Sequence, residues 1–216
     1  MSEKLIIDPV TGGMKGAKDE RWDLIPPSPL LDLAVLAGGF DKLSFRALDE
    51  IARVYAYGSS KYSDYNWQKG FAWRLSIAAL QRHVSKHMQG EKVDPETDRL
   101  HLAHATWHLF TLYEFARLGL GTDDRIKDDG AAQCVFAGGL NDLWLRIFRF
   151  ASAVDHDALE LLRAAEIALN LVDAELVKRQ EPPPAPEGWH PHKFSTGAVC
   201  DATDCRAPAH FTETLP

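Results

Sequence analysis

From about Asp94 to Arg117 the chain sustains a helical apolar period in which three histidines, His101, His104 and His108, stand three and four residues apart. That spacing puts them on one face of a helix. An imidazole buried on an apolar face must find a hydrogen-bond partner, so the row is either a set of satisfied core residues or the lining of a site. Asp94-Pro95-Glu96 predicts the start of this helix, with Asp as N-cap, Pro at the first helical position and an acid in the first turn. Gly119 and Gly121 predict its end.

Other segments carry the same period. A helix over 44–58 is predicted by Ser44 as N-cap and by Phe45, Leu48, Ile51, Ala52 and Tyr55 at helical spacing. A second, over 71–88, buries Trp73, Ile77, Leu80 and Val84 and ends before Gly90. Two more are expected over about 140–153 and 156–180. Residues 1–43, rich in Gly, Pro and charge, predict an extended arm with turns. Residues 59–70 read as a polar, aromatic loop, 123–130 as an acidic linker, 181–188 as a Pro-rich spacer and 189–216 as an irregular tail. No convincing strand is visible. The expected fold is an all-α helical bundle, with 44–122 as its core and 131–180 as an extra helical pair. That pair would cover the bundle, bind a partner independently or join subunits, the last through Leu143, Trp144, Ile147 and Phe148.

The formal net charge of -7 over 216 residues argues against a generic nucleic-acid coat, which needs excess Lys and Arg. No run approaches the roughly 18–20 apolar residues that span a bilayer, and the first residues lack the apolar core of a signal peptide. Cys134, Cys200 and Cys205 are too few and too uneven for a disulfide framework. A cytoplasmic protein without membrane or nucleic-acid partners is expected.

Polar residues concentrate between Glu50 and His108. The second helix carries Arg82, His83 and His87, and Glu91, Asp94, Glu96 and Asp98 lie between it and the next. Antiparallel packing of these helices would gather acids and imidazoles at their linked ends. A polyphosphate hydrolase needs such a set: carboxylates to hold Mg²⁺ or Mn²⁺, and cations to stabilise transition-state charge. The plainer reading makes His83 and His87 surface or satisfied core residues, Asp94 a cap, Asp98 a solvated acid, and Trp67 and Trp73 packing residues.

More specific is the stretch Tyr57-Gly58-Ser59-Ser60-Lys61-Tyr62-Ser63-Asp64-Tyr65-Asn66-Trp67-Gln68-Lys69-Gly70. It is followed by Arg82-His83, Gly90-Glu91, Asp94-Pro95-Glu96-Thr97 and His101-Leu102-Ala103-His104-Ala105. With an upstream Gly-Gly-x-Lys turn and Arg-Trp-Asp-Leu between Gly12 and Pro26, these blocks resemble the phage dATP/dGTP diphosphohydrolase family, relatives of the MazG-like all-α NTP pyrophosphohydrolases. The resemblance spans roughly residues 11–117. It implies a metal-dependent bundle, commonly a dimer or tetramer, that cleaves dATP or dGTP between the α- and β-phosphates and so trims the nucleotide pool. By the same resemblance Glu50, Asp94 and Glu96 are metal-ligand candidates. Lys15, Lys18, Arg21, Lys61 and Arg82 are implied phosphate contacts, and Asn66 and Trp67 implied base contacts. The MazG pattern of Glu-x-x-Glu and Glu-x-x-Asp is not matched: His101-x-x-His104 stands at the second position, and Asp98 follows Thr97 where a Gly is usual. Either His101 and His104 replace carboxylates as ligands, joining Glu50 and Glu96 in the expected catalytic and metal set, or the metal sits nearer Asp94 and Glu96, with Asp98 an added ligand or a neutral variation.

Two rival readings remain. One is an HD-type phosphohydrolase using His156-Asp157 with His83 and Asp173. The other is a non-enzymatic, partner-binding protein built around a tail Zn²⁺ site of His192, Cys200, Cys205 and His210.

Overall fold

The computed structural model describes residues 5–126, 139–152 and 158–180. In chain order these form a hairpin of β1 (Leu5–Ile7) and β2 (Met14–Gly16), then α1 (Pro27–Ala37), α2 (Phe45–Lys61) and α3 (Trp73–Met88). A second hairpin, β3 (Val93–Asp94) and β4 (Arg99–Leu100), leads into α4 (His101–Leu118), and α5 (Gly139–Ser152) and α6 (Ala158–Gln180) follow. Cys134, His156-Asp157, the 181–188 spacer and the tail with His192, Cys200, Cys205 and His210 lie outside the described residues.

Helix α4 has no polar stripe to turn toward water. Leu102, Ala105, Leu109, Phe110, Leu112 and Phe115 are all fully buried, and a helix apolar all round belongs in the middle of a bundle. Helices α1, α2, α3 and α6 pack against it, and α5 lies on α6 and α3. The all-α expectation is met, with the two hairpins as its only strands among the described residues. The extra pair is part of the same core: Leu143 and Ile147 are buried, and Phe150 stacks on Trp73 at 6.0 Å. Of the four residues suited to a surface between subunits, two therefore face inward. Phe148 is exposed and stacks on Trp144 at 5.1 Å.

Three sequence expectations are corrected. The first concerns the arm of residues 1–43, which contains α1. Pro27 and Pro29 fall in its first turn, where an N–H has no helical partner to lose, and Gly38 closes it in the left-handed conformation. The second concerns α2, which is capped by Ser44 accepting from the Ala47 N–H, yet runs through Gly58 to Lys61. The third bears on the site: Asp94 does not cap α4. It belongs to a tight hairpin in which Val93 pairs with Leu100 and Asp94 with Arg99. Asp94 Oδ1 accepts from the Glu96 N–H at 2.8 Å, its carbonyl accepts from the Asp98 N–H at 2.8 Å, and Asp98 takes a φ of 56°. Asp-Pro opens a turn as readily as a helix, and the helix waits until His101.

A close backbone approach at Gly121 locks the start of α3 to the end of α4. The Trp73 N–H donates to the Thr122 carbonyl and the Thr122 N–H to the Phe71 carbonyl. Gly121 has a φ of 70°, and a Cβ there would stand 2.2 Å from the Phe71 oxygen. Gly119 also has positive φ (64°), but a Cβ there meets nothing within 4 Å. Gly119→Ala should therefore cost about 1–2 kcal/mol, the conformational penalty alone. Gly121→Ala should cost clearly more, because backbone must also move. Urea unfolding of the two variants checks this; equal losses would contradict the close approach.

Candidate functional site

Three helices and the second hairpin enclose a cleft of about 740 Å³, within the range of small-molecule sites. Helix α2 contributes Val54, Tyr57, Gly58 and Lys61, one stripe at helical spacing. Helix α3 contributes Ser76, Ala79, His83 and Lys86 in the same way, with Arg82 beside them. Helix α4 contributes His101, His104, Trp107 and His108, and the hairpin adds Asp94, Pro95, Glu96 and Thr97. The turn after α2 supplies Tyr65, Asn66 and the buried Trp67.

On its floor four imidazoles pack ring to ring. His83 stacks on His104 with centroids 4.6 Å apart and stands 5.2 Å from His101 and 5.9 Å from His108. Each has polar company. His83 Nδ1 lies 2.9 Å from His101 Nδ1, His104 Nε2 2.8 Å from Thr97 Oγ, and His108 Nδ1 2.8 Å from Ser76 Oγ. Asp94 Oδ2 stands 3.9 Å from both His83 Nδ1 and His104 Nε2. One donor atom each from His83, Asp94 and His101 falls within 4.8 Å of the others. Among the described residues this is the group able to share a metal ion.

Burial keeps three of the four imidazoles, His83, His104 and His108, uncharged. It pushes His83 down to about 2, helped by the neighbouring imidazoles, and His108 down to about 3. Burial likewise lowers His104 to about 4, although the nearby Asp94 carboxylate opposes it. Charge gathers at the mouth. Glu96 accepts from Tyr57 Oη at 2.5 Å and from Lys61 Nζ at 2.9 Å. These two bonds hold its carboxyl below the usual range, while Glu96 raises Lys61. Glu91 accepts from Lys86 at 2.9 Å and faces His101 Nε2 at 3.4 Å, and both partners lower it. Arg82 is exposed at the rim, with no ion pair among the described residues.

The cleft thus unites Asp94, Glu96, His101, His104, Lys61, Asn66, Trp67 and Arg82 of the expected site. It does not include Glu50, which is buried on α2 against Arg53 at 2.6 Å, with Arg99 at 3.8 Å. Asp98 sits exposed at the hairpin tip, and Lys15 on exposed β2; neither lines the cleft, nor does exposed Lys18. Arg21 is tied to Asp23 at 2.6 Å and Asp64 at 3.0 Å, bracing the loop that carries Tyr65 and Trp67 rather than lining the cleft. Asp173, the partner invoked for an HD-type site, is held by Ser44 and Arg46 at the start of α2. His83 is the main member that the sequence reading placed too low. Its signal was the pair Arg82-His83 on a helix bound to pack antiparallel to the histidine row.

An all-α bundle whose cleft sets cations at the rim above an imidazole–carboxylate floor has the make-up of a site for a phosphorylated ligand and a divalent cation. Comparison with known proteins narrows this class. Residues 37–125 match the family model described as dATP/dGTP diphosphohydrolase, N-terminal. The protein named dATP/dGTP diphosphohydrolase of Salmonella phage PMBT28 is 35% identical over 80 residues. That match spans 37% of this chain and 27% of the relative, about a quarter of its length. No solved structure matches. The resemblance drawn from the motifs is borne out over the segment that builds the cleft.

The neutral floor has a consequence for stability. An unfolded chain titrates these imidazoles near 6.5, whereas the folded chain refuses their protons until much lower pH. Stability should thus be intact above pH 6.5 and fall as pH drops below it. Each such group steepens the fall by at most about 1.4 kcal/mol per pH unit. His108→Gln should flatten the acid limb in denaturant unfolding between pH 6.5 and 4.5. An unchanged slope would contradict a buried neutral His108.

Proposed function

We propose that the cleft binds a purine deoxynucleoside triphosphate, dATP or dGTP, and hydrolyses it to the monophosphate and pyrophosphate with the help of a divalent cation. One observation carries the reading: the segment that matches the diphosphohydrolase family model contains nearly all of the residues that line the cleft. The activity in the name of the Salmonella phage relative then supplies the substrate class. Such an enzyme would act in the cytoplasm on the nucleotide pool.

The donor set suits the cation that the resemblance implies. His83, Asp94 and His101 offer two nitrogens and a carboxylate oxygen at one place, which fits Mn²⁺ better than Mg²⁺, an ion that seeks oxygen. When bound, the cation would screen phosphate charge and activate water. The chain's own groups do the rest. Arg82, a rim cation without an ion pair among the described residues, contacts the phosphates. Lys61 joins it by exchanging Glu96 for a phosphate oxygen. Trp67, Trp107 and Tyr65 give the base aromatic surfaces on which to stack. Water attacks the α-phosphorus, the bond to the α–β bridging oxygen breaks, and pyrophosphate leaves. The proton given up by the water passes to neutral His104 at Nε2, and Asp94 steadies the imidazolium.

A panel of dNTPs and NTPs with Mn²⁺ or Mg²⁺, scored for products, tests the reading. Equal amounts of monophosphate and pyrophosphate from dATP or dGTP are expected, and orthophosphate as sole product would contradict it. Asp94→Asn should lower kcat by about 10²-fold or more. Arg82→Ala should act chiefly on kcat/KM, by roughly 10-fold or more.

A further inference from the structure

We propose that His83, Asp94 and His101 bind one first-row transition ion of the Mn²⁺ or Co²⁺ class in preference to Mg²⁺, with Glu91 as the positioning residue that sets the tautomer of His101. This deepens the reading above. It rests on that reading for the purpose of the ion, but not for its binding.

The geometry points to an ion held by nitrogen. His83 Nδ1 and His101 Nδ1 face each other at 2.9 Å. Two like nitrogens at that distance are satisfied only if one carries a proton between them, or if a cation takes the proton's place. Donors about 2.1 Å from a central ion and at right angles around it stand about 3 Å apart, which is the spacing of this pair. Asp94 Oδ2, 3.9 Å from His83 Nδ1, closes the third side by a torsional adjustment of its side chain. Neither imidazole comes from a flexible segment, since His83 is buried in α3 and His101 in the first turn of α4. The His101 backbone is itself pinned, its N–H donating to the Lys92 carbonyl at 3.0 Å.

Glu91 explains why His101 presents Nδ1. Its Oε1 faces His101 Nε2 at 3.4 Å while its Oε2 is held by Lys86 at 2.9 Å. A carboxylate there keeps the proton on Nε2 and leaves the Nδ1 lone pair free for an ion, as carboxylates behind metal-bound histidines do. Two imidazoles with one carboxylate favour borderline ions, with affinity rising from Mn²⁺ to Co²⁺, whereas Mg²⁺ prefers oxygen ligands and keeps its water.

The test is cation binding without nucleotide. The full-length, tag-free, metal-stripped chain is titrated with Mn²⁺ by electron paramagnetic resonance and with Co²⁺ by visible absorption, with excess Mg²⁺ as competitor. One cleft ion is expected, tighter for Co²⁺ than Mn²⁺ and not displaced by Mg²⁺ at tenfold excess. His83→Gln and Asp94→Asn should each abolish or severely weaken it. A Cys200→Ser/Cys205→Ser background separates any ion bound in the tail, and the cleft ion should persist in it. Glu91→Ala should weaken Co²⁺ about 10–100-fold and alter its spectrum, with the thermal midpoint of the metal-free chain unmoved. Glu91→Gln, which keeps an acceptor, should restore much of the affinity. The proposal is overturned if Mg²⁺ displaces Mn²⁺ at equal concentration, or if His83→Gln and Asp94→Asn bind as the unmodified chain does. Wild-type Co²⁺ affinity and spectrum in Glu91→Ala would remove Glu91 from it. Failure to release pyrophosphate would instead count against the hydrolase reading, and the titration would stand apart from it.

Discussion

Four imidazoles packed between two helices set the terms for everything around them. Water is excluded from most of their surface, so protonating His83, His104 and His108 is costly, and their buried nitrogens call for a hydroxyl, a carboxylate or another imidazole. Ser76, Thr97, Asp94 and Glu91 answer that demand. They come from α3, the hairpin and the loop before it, so the helix pair and its connection are specified together. A core built for stability alone would place leucines here. The polar floor is kept at a cost in packing freedom, which is the pattern expected of a site.

The hairpin makes the arrangement possible. Had α4 begun at Asp94, that carboxylate would have been spent on orphan N–H groups at a helix start. In the tight turn its Oδ1 closes the Asx-type loop on Glu96 and its Oδ2 remains turned to His83 and His104. The next acid has a different task. Glu96 reaches across the mouth to Tyr57 and Lys61 on α2, so one short loop supplies an acid for the floor and an acid for the rim. Imidazoles and one carboxylate lie deep and the cations lie shallow, the order in which a divalent cation and a triphosphate would meet them.

Much of this was legible in the chain. The histidine row at three- and four-residue spacing, the Ser44 cap and the apolar periods gave the helices. The ordered blocks from Tyr57 to Ala105 carried the resemblance to the diphosphohydrolases. What local pattern did not carry was the choice between equal local solutions. Asp-Pro-Glu suits a helix start or a turn, and only the pairing of Val93 with Leu100 decides. Pro27 and Pro29 look like breakers until they prove to occupy the one turn that tolerates them. Glu50 looked as good a ligand as Asp94; Arg53 at i+3 was a readable partner, but that Arg99 joins it and that this face of α2 turns away from the cleft are tertiary facts. His83 depends on which face of α3 meets α4, a tertiary fact.

The central claim is that the imidazole–carboxylate floor is where an ion and a nucleotide meet. Diffraction at the manganese absorption edge, from crystals grown with Mn²⁺ and a deoxynucleoside triphosphate analogue whose α–β bridge is non-hydrolysable, tests it most directly. The account predicts an anomalous peak bounded by His83, Asp94 and His101, with the phosphates reaching from it toward Arg82. A peak at Glu50, or a nucleotide seated outside the cleft, would contradict it.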